Sequence, residues 1–108
     1  MPDQGLICDL LWSDPKNDAN WFQENHARGA GWCFGPEALA DFMRKFEVDL
    51  IVRSHQVAQG GYHWFAERQL VTLFGVPNYR GNRNAAAMMS IDGTLLCSFK
   101  VFKRHEWV

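Results

Sequence analysis

Cysteine is scarce: Cys8, Cys33 and Cys97 are the only three in a chain of 108 residues, and they stand far apart. With no secretory signal, that usage argues against a disulfide scaffold and for a reducing, intracellular setting in the cytoplasm or nucleus. Charge of one sign is also missing. Eleven Lys and Arg against twelve Asp and Glu leave a net charge of −1, which gives no basic field for nucleic acid. No apolar run approaches the roughly 18 residues from which a spanning helix would be read, so no membrane association is expected. Repeats, low-complexity tracts, a Gly-rich phosphate loop and a Ser-His-Asp signature are all absent. The four histidines, His26, His55, His63 and His105, lack the spacing of a zinc-protease helix, and the cysteines are too scattered for a zinc site.

Aromatics, by contrast, are abundant. Five Trp and eight Phe in so short a chain imply either a dense core or surfaces meant to pack on something else. The length gives room for one domain. The sequence looks structured almost from Met1, which points to a start inside a larger domain.

Leu6 to Trp12 is apolar apart from Asp9, and its periodicity fits a strand or a short helix equally. Ser13-Asp14-Pro15 ends it, because the residue before Pro is pushed out of the helical region. Lys16 to Gly31 is polar and without period, so it reads as a long loop. Trp21, Phe22, Trp32 and Phe34 argue that this loop is packed down. Gly35-Pro36-Glu37 starts a helix, since Pro suits the first helical position and Glu the first turn. Leu39, Phe42, Met43 and Phe46 form its apolar, core-facing stripe. Leu50 to Val52 reads as a short buried strand that delivers Arg53, Ser54 and His55 to a loop. Tyr62 to Phe65 and Leu70 to Phe74 are strands around a tight turn, and Gly75 to Asn84 is a loop. Ala85 to Ile91 is a strand leading into Asp92-Gly93, a type I′ hairpin signal. In Thr94 to Phe102, Leu95, Cys97, Phe99 and Val101 share one face and Thr94, Ser98 and Lys100 the other. The class is α/β or α+β, with a C-terminal block of mostly antiparallel strands.

The candidate chemistry lies in polar residues on loops beside rigid elements: Asp14, Asn25, Arg28, His55, Asn78, Tyr79 and Arg80. An imidazole at the end of a strand is well placed for metal binding or proton transfer. Arg28 lies in Arg-Gly-Ala-Gly, where small neighbours let an anion approach a guanidinium suited to phosphate. From these residues alone, the chain is a globular α/β piece with a candidate anion site.

Motifs in order say more. Cys8-Asp9-Leu10-Leu11-Trp12-Ser13-Asp14-Pro15, Arg28-Gly29, Arg53-Ser54-His55-Gln56-Val57, Gly61-Tyr62, Pro77-Asn78-Tyr79 and Ala87-Met88-Met89 together resemble the C-terminal part of the phosphoprotein phosphatase family. These are serine/threonine protein phosphatases of the metallophosphoesterase fold. Leu70 to Phe74 and Leu96 to Phe99 resemble the type-1 branch, whereas Arg28-Gly29-Ala30-Gly31 resembles type 2A. The resemblance runs from about Asp3 to Lys103. It implies one partial domain over residues 1–108: the C-terminal portion of a β-sandwich flanked by helices.

It also implies hydrolysis of phosphoserine and phosphothreonine by a water activated between two divalent metal ions, manganese or iron and zinc. By resemblance, His55 matches a metal-ligand His, Arg28 the phosphate-clamping Arg and Tyr79 the Tyr beside the phosphate. Trp12 and Asp14 match residues flanking the substrate groove. Phosphoproteins would be the substrates. Regulatory subunits carrying a hydrophobic-x-Phe motif would be partners, docking at positions matching Asp49, Leu50, Leu95, Cys97 and Phe99, with Trp64 where Phe is usual.

Departures temper this. The family's Gly-Asp-x-His-Gly, Gly-Asp-x-Val-Asp-Arg-Gly and Gly-Asn-His-Glu motifs, which supply most metal ligands, do not occur in the chain. The 108 residues alone are therefore expected to be inactive. They would be a non-catalytic fragment that either binds regulatory subunits or has no independent role. The Asn78–Asn84 loop has Arg80 where Cys is usual and is one residue short. Asn25-His26-Ala27-Arg28 has an inserted residue and no Asp before the Arg.

Overall fold

The computed structural model describes residues 4–103. They cluster into two compact units. The first runs up to Ile51 and takes in Phe65–Gln69; the second holds Val52–Trp64 and the residues from Leu70 onward.

In the first unit, the ambiguous apolar run is a helix, α1 (Leu6–Trp12), which buries only Cys8. It stops at an extended Ser13, with φ −84° and ψ 142°. Asp14–Pro15 (β1), Phe22–Glu24 (β2) and Trp32–Phe34 (β3) form a sheet in the order β1-β3-β2. Strand β1 runs parallel to β3, and β2 antiparallel to it. The expected long loop from Lys16 to Gly31 thus contains a strand, and its aromatics are not packed down. Trp21, Phe22 and Trp32 stay 48, 61 and 44% exposed. Phe22 sits on an edge strand of a sheet too small to cover its own faces. Phe34, half-buried, meets Phe65 edge-on with ring centres 6.5 Å apart.

Helix α2 (Pro36–Phe46) starts where expected. Pro36 opens it, Glu37 sits in its first turn, and Arg44 and Lys45 lie in its last. Asp41 pairs with Arg44 and, at 3.2 Å, with Lys45. Glu47 takes a left-handed φ of 53° as the C-cap. The apolar stripe is only partly core-facing. Ala38, Leu39 and Met43 are buried, whereas Phe42 and Phe46 remain exposed and lean on each other with ring centres 4.8 Å apart. An apolar cavity of about 310 Å³ opens beside Leu10, Phe22, Leu39 and Phe42, so this part of the stripe lacks cover among the described residues.

The second sheet has five strands: Ile51–Arg53 (β4), Gly60–Phe65 (β5), Leu70–Leu73 (β6), Ala85–Ile91 (β7) and Cys97–Phe102 (β8), in the order β4-β6-β5-β7-β8. Strand β4, expected to be buried, is an edge strand with Val52 exposed. The fully buried Leu70, Val71 and Thr72 on β6 form the centre with Ala85, Ala86 and Ala87 on β7. Burial of each of the two aliphatics stabilises the unit by about 1.5–3 kcal/mol.

The C-terminal block is not wholly antiparallel. Strands β5 and β7 pair in parallel through Gly60↔Ala85 and Gly61↔Ala86, while β7 and β8 pair antiparallel. Gly61 permits the parallel contact. Its φ is +91°, and a Cβ there would lie 2.9 Å from the Ala86 carbonyl.

The hairpin lies where Asp92-Gly93 places it, but its turn is different. Neither Asp92 nor Gly93 has positive φ; Leu95 does, at 67°. The Leu95 amide donates to the Asp92 carbonyl at 3.0 Å and the Asp92 amide to the Leu96 carbonyl at 3.1 Å. This is a three-residue loop whose last residue is left-handed, the next commonest hairpin type. Asp92 selects it. Its Oδ1 accepts from the Thr94 hydroxyl, the Thr94 amide and the Leu96 amide at 2.7, 2.8 and 3.0 Å. Those bonds, the hydroxyl's first, hold the Asp92 carboxyl below its ordinary range. Leu95 therefore belongs to the loop, not to the strand face shared by Cys97 and Phe99.

Candidate phosphate-binding site

In the first unit, four residues read from the sequence come together: Trp12, Asp14, Asn25 and Arg28. Asp14, on β1, is buried. Its Oδ2 accepts from Asn25 Nδ2 at 2.8 Å, and the same Nδ2 donates to the Trp12 carbonyl at 3.0 Å. Arg28 Nη1 stands 3.8 Å from Asp14 Oδ1, and its guanidinium carbon lies 4.8 Å from the centre of the Trp12 ring. The arginine is thus held by a carboxylate on one side and an aromatic face on the other, with its side chain still 20% exposed. A planar guanidinium fixed this way loses little freedom on meeting a bidentate oxyanion.

The short turn from Asn25 brings it there, closed by Gly29 N–H to Asn25 C=O at 3.0 Å. The small neighbours of Arg28 have two different reasons. Gly29 has nothing within 4 Å of a would-be Cβ, as room for an anion requires. Gly31 is small because the Trp12 carbonyl sits against it, 2.6 Å from where a Cβ would be.

In the second unit, His55 follows β4. It is exposed and left-handed, with φ 79°, a conformation uncommon for a non-glycine residue and often found at functional sites. Its neighbours are tied down. Arg53 donates to Gln56 Oε1 at 2.6 Å and to Thr72 Oγ1 at 3.1 Å, and Ser54 Oγ donates to the Leu73 carbonyl at 2.6 Å.

Tyr79 opens a 3-10 turn in the loop between β6 and β7 and packs edge-on against Phe74 at 5.2 Å. The two loops are neighbours: Gln59 Nε2 donates to the Asn82 carbonyl at 3.2 Å, and the Ala85 amide to the Gln59 carbonyl at 2.9 Å. Asn84 was not picked out from the sequence. It is fully buried, accepts from the Tyr79 amide at 2.8 Å and donates to the Val76 and Ala85 carbonyls at 2.8 and 3.0 Å. An amide side chain just ahead of an alanine-rich buried strand was the available signal.

Of the expected docking residues, Trp64 on β5 meets Phe99 on β8 edge-on at 5.7 Å, and Phe99 also stacks on Tyr62 at 3.9 Å. Cys97 is half-buried and Leu95 exposed. Asp49 and Leu50 belong to the first unit.

A family model for the calcineurin-like phosphoesterases matches residues 1–59. The chain belongs to the calcineurin-like phosphoesterase family. Its fold is that of part of a metallophosphoesterase domain. It superposes on a serine/threonine phosphatase from Saccharomyces cerevisiae, described as similar to the human phosphatase PP5, with a TM-score of 0.82 and 25% identity. The match covers 95% of this chain and 35% of that phosphatase.

Calcineurin-like phosphoesterases use dinuclear metal centres. Among the described residues, no group of three or more His, Cys, Asp or Glu could hold a metal ion. These residues therefore do not make up such a centre by themselves, and His55 would contribute a single imidazole. His105 lies outside the described residues. No described helix is long and apolar enough to cross a membrane.

Proposed function

We propose that this calcineurin-like phosphoesterase chain supplies the phosphate-gripping C-terminal part of a serine/threonine protein phosphatase domain acting on phosphoserine and phosphothreonine in proteins. The observation that carries the reading is Arg28 held between the buried Asp14 carboxylate and the Trp12 ring, in a family whose chemistry is phosphoester hydrolysis. Arg28 binds two phosphate oxygens through its fork, and Asp14 and the Trp12 ring orient it. Tyr79, by the family resemblance, is the tyrosine beside a bound phosphate. Trp12 and Asp14 border the groove for the peptide. His55 would give one imidazole ligand to a dinuclear centre of manganese, or of iron and zinc, which would supply the activated water.

Arg28→Ala is expected to weaken binding of a phosphoserine peptide by about 10- to 100-fold, since each charge-assisted hydrogen bond is worth about 1.5–3 kcal/mol. Arg28→Lys should recover part of the loss. Calorimetric titration measures it, and an unchanged affinity in Arg28→Ala would remove the site.

The T-shaped Trp64–Phe99 pair favours a second role: capture of regulatory subunits through a hydrophobic-x-Phe peptide added along the sheet. Leu95→Gly separates packing from docking. It relieves the left-handed strain at φ 67° and should raise stability by about 0.5–1 kcal/mol. Loss of the exposed side chain should at the same time weaken the peptide several-fold. A urea midpoint and a peptide titration on the same protein read both, and unaltered peptide affinity would exclude Leu95 from the docking surface.

A further inference from the structure

From Gly75 to Ile91 the sequence holds two arginines, Arg80 and Arg83, and no carboxylate. Both are exposed, and neither makes an ion pair among the described residues. The loop that carries them is held firmly. Asn78 N–H donates to the Asn84 carbonyl at 2.9 Å, Asn78 Oδ1 accepts from the Arg83 amide at 3.1 Å, and Asn82 N–H donates to the Tyr79 carbonyl at 3.0 Å. Asn78, Arg80 and Arg83 are all left-handed, with φ of 52°, 51° and 55°. Arginine takes that conformation only where the surroundings impose it. The Arg80 guanidinium carbon lies 5.3 Å from the centre of the Tyr79 ring. A cation on an aromatic face is oriented by the ring quadrupole, and its charge is not neutralised there. Two uncompensated cations on a fixed loop attract anions, and nothing on the loop answers them.

We propose that Arg80, assisted by Arg83, is a specificity residue that favours phosphopeptides bearing a second anionic group one or two positions from the phosphorylated residue. The proposal rests on the reading of Tyr79 as the tyrosine beside the bound phosphate. Neighbouring residues of an extended peptide advance about 3.3 Å each, so a carboxylate or second phosphate at those positions falls near the residue that follows Tyr79. Arg80 takes no part in hydrolysis. It raises the occupancy of acidic substrates and leaves the chemistry to the rest of the domain.

The test uses the full chain and four labelled peptides followed by fluorescence anisotropy. One carries phosphoserine flanked by alanine, one phosphoserine followed by two glutamates, one two phosphoserines, and one the glutamates without phosphate. The second and third are expected to bind about 3- to 10-fold more tightly than the first at low salt, the range two exposed charge pairs provide. That ratio should approach 1 near 0.5 M salt, where screening shortens to about 4 Å. Arg80→Asn with Arg83→Asn, chosen because asparagine tolerates left-handed backbone, should bring the low-salt ratio to about 1, and Arg80→Lys should keep much of it. A ratio larger for the doubly phosphorylated peptide identifies a second phosphate as the favoured anion; equal ratios identify charge alone.

Equal affinity of the unaltered protein for all phosphopeptides overturns the proposal. So does a ratio that survives the double substitution, or failure of every phosphopeptide to bind. Arg28→Ala separates the two levels. If it weakens the alanine-flanked peptide while the acidic preference is absent, only the role of Arg80 fails. If it weakens nothing, the phosphate site itself fails.

Discussion

Gly31→Ala is expected to destabilise the first unit by roughly 2–5 kcal/mol, the sum of a left-handed penalty of about 1–2 kcal/mol and an overpacking cost of about 1–3 kcal/mol. Both terms arise at one atom. The backbone φ of Gly31 is +70°, and a Cβ would meet the Trp12 carbonyl carbon and oxygen at 2.6 Å and the Ser13 amide nitrogen at 2.8 Å. The obstacle is backbone and cannot rotate away. Relief requires moving the Trp12–Asp14 segment, which carries the ring and the carboxylate that hold Arg28. Stability and phosphopeptide affinity should therefore fall together.

Gly29→Ala is the internal control. It has the same φ of +70° with nothing within 4 Å, so only the conformational penalty of about 1–2 kcal/mol remains. Urea titrations followed by tryptophan fluorescence measure both, and equal losses for the two variants would refute the steric account.

Asn84→Ala is expected to cost about 2–4 kcal/mol and to loosen the Tyr79 loop. The side chain is fully buried and satisfies the Tyr79 amide and the Val76 and Ala85 carbonyls. Removing it strands buried polar groups, each worth about 1–3 kcal/mol unless water reaches it. Loops that lose such anchors open locally before the sheet melts. Amide hydrogen exchange should quicken at Tyr79 and leave Leu70 to Thr72 protected. Exchange that stays slow at Tyr79 would show that the backbone bonds from Asn78 and Asn82 suffice.

Much of the fold could be read where the cause is local. Helix α2 follows from Pro36 and Glu37 and the spacing of Leu39 and Met43. Strand β7 and the hairpin at Asp92 also stand where short-range pattern puts them. What failed depended on partners distant in sequence. The stripe containing Phe42 and Phe46 has helical period, but period does not say whether a cover exists, and both remain exposed. The positive φ expected at Asp92-Gly93 moved to Leu95 because three hydrogen bonds to Asp92 Oδ1 choose a different loop. The parallel pairing of Gly61 with Ala86 spans 25 residues of sequence and leaves no periodic mark.

The same division holds for the candidate site. Arg28, Trp12, Asp14, His55 and Tyr79 could be named from residue type, loop position and family motif, because chemistry and motif order reside in the chain itself. Sequence also determined the family and the charge of the Arg80 loop. Only the tertiary structure decided that Asp14 and the Trp12 ring hold Arg28, that Gly31 is glycine for the sake of the Trp12 carbonyl, and that Asn84 fixes the turn at Tyr79. Each of these is a close approach between groups that are separate in the chain, and such approaches are set by the packing of whole elements rather than by the residues beside them.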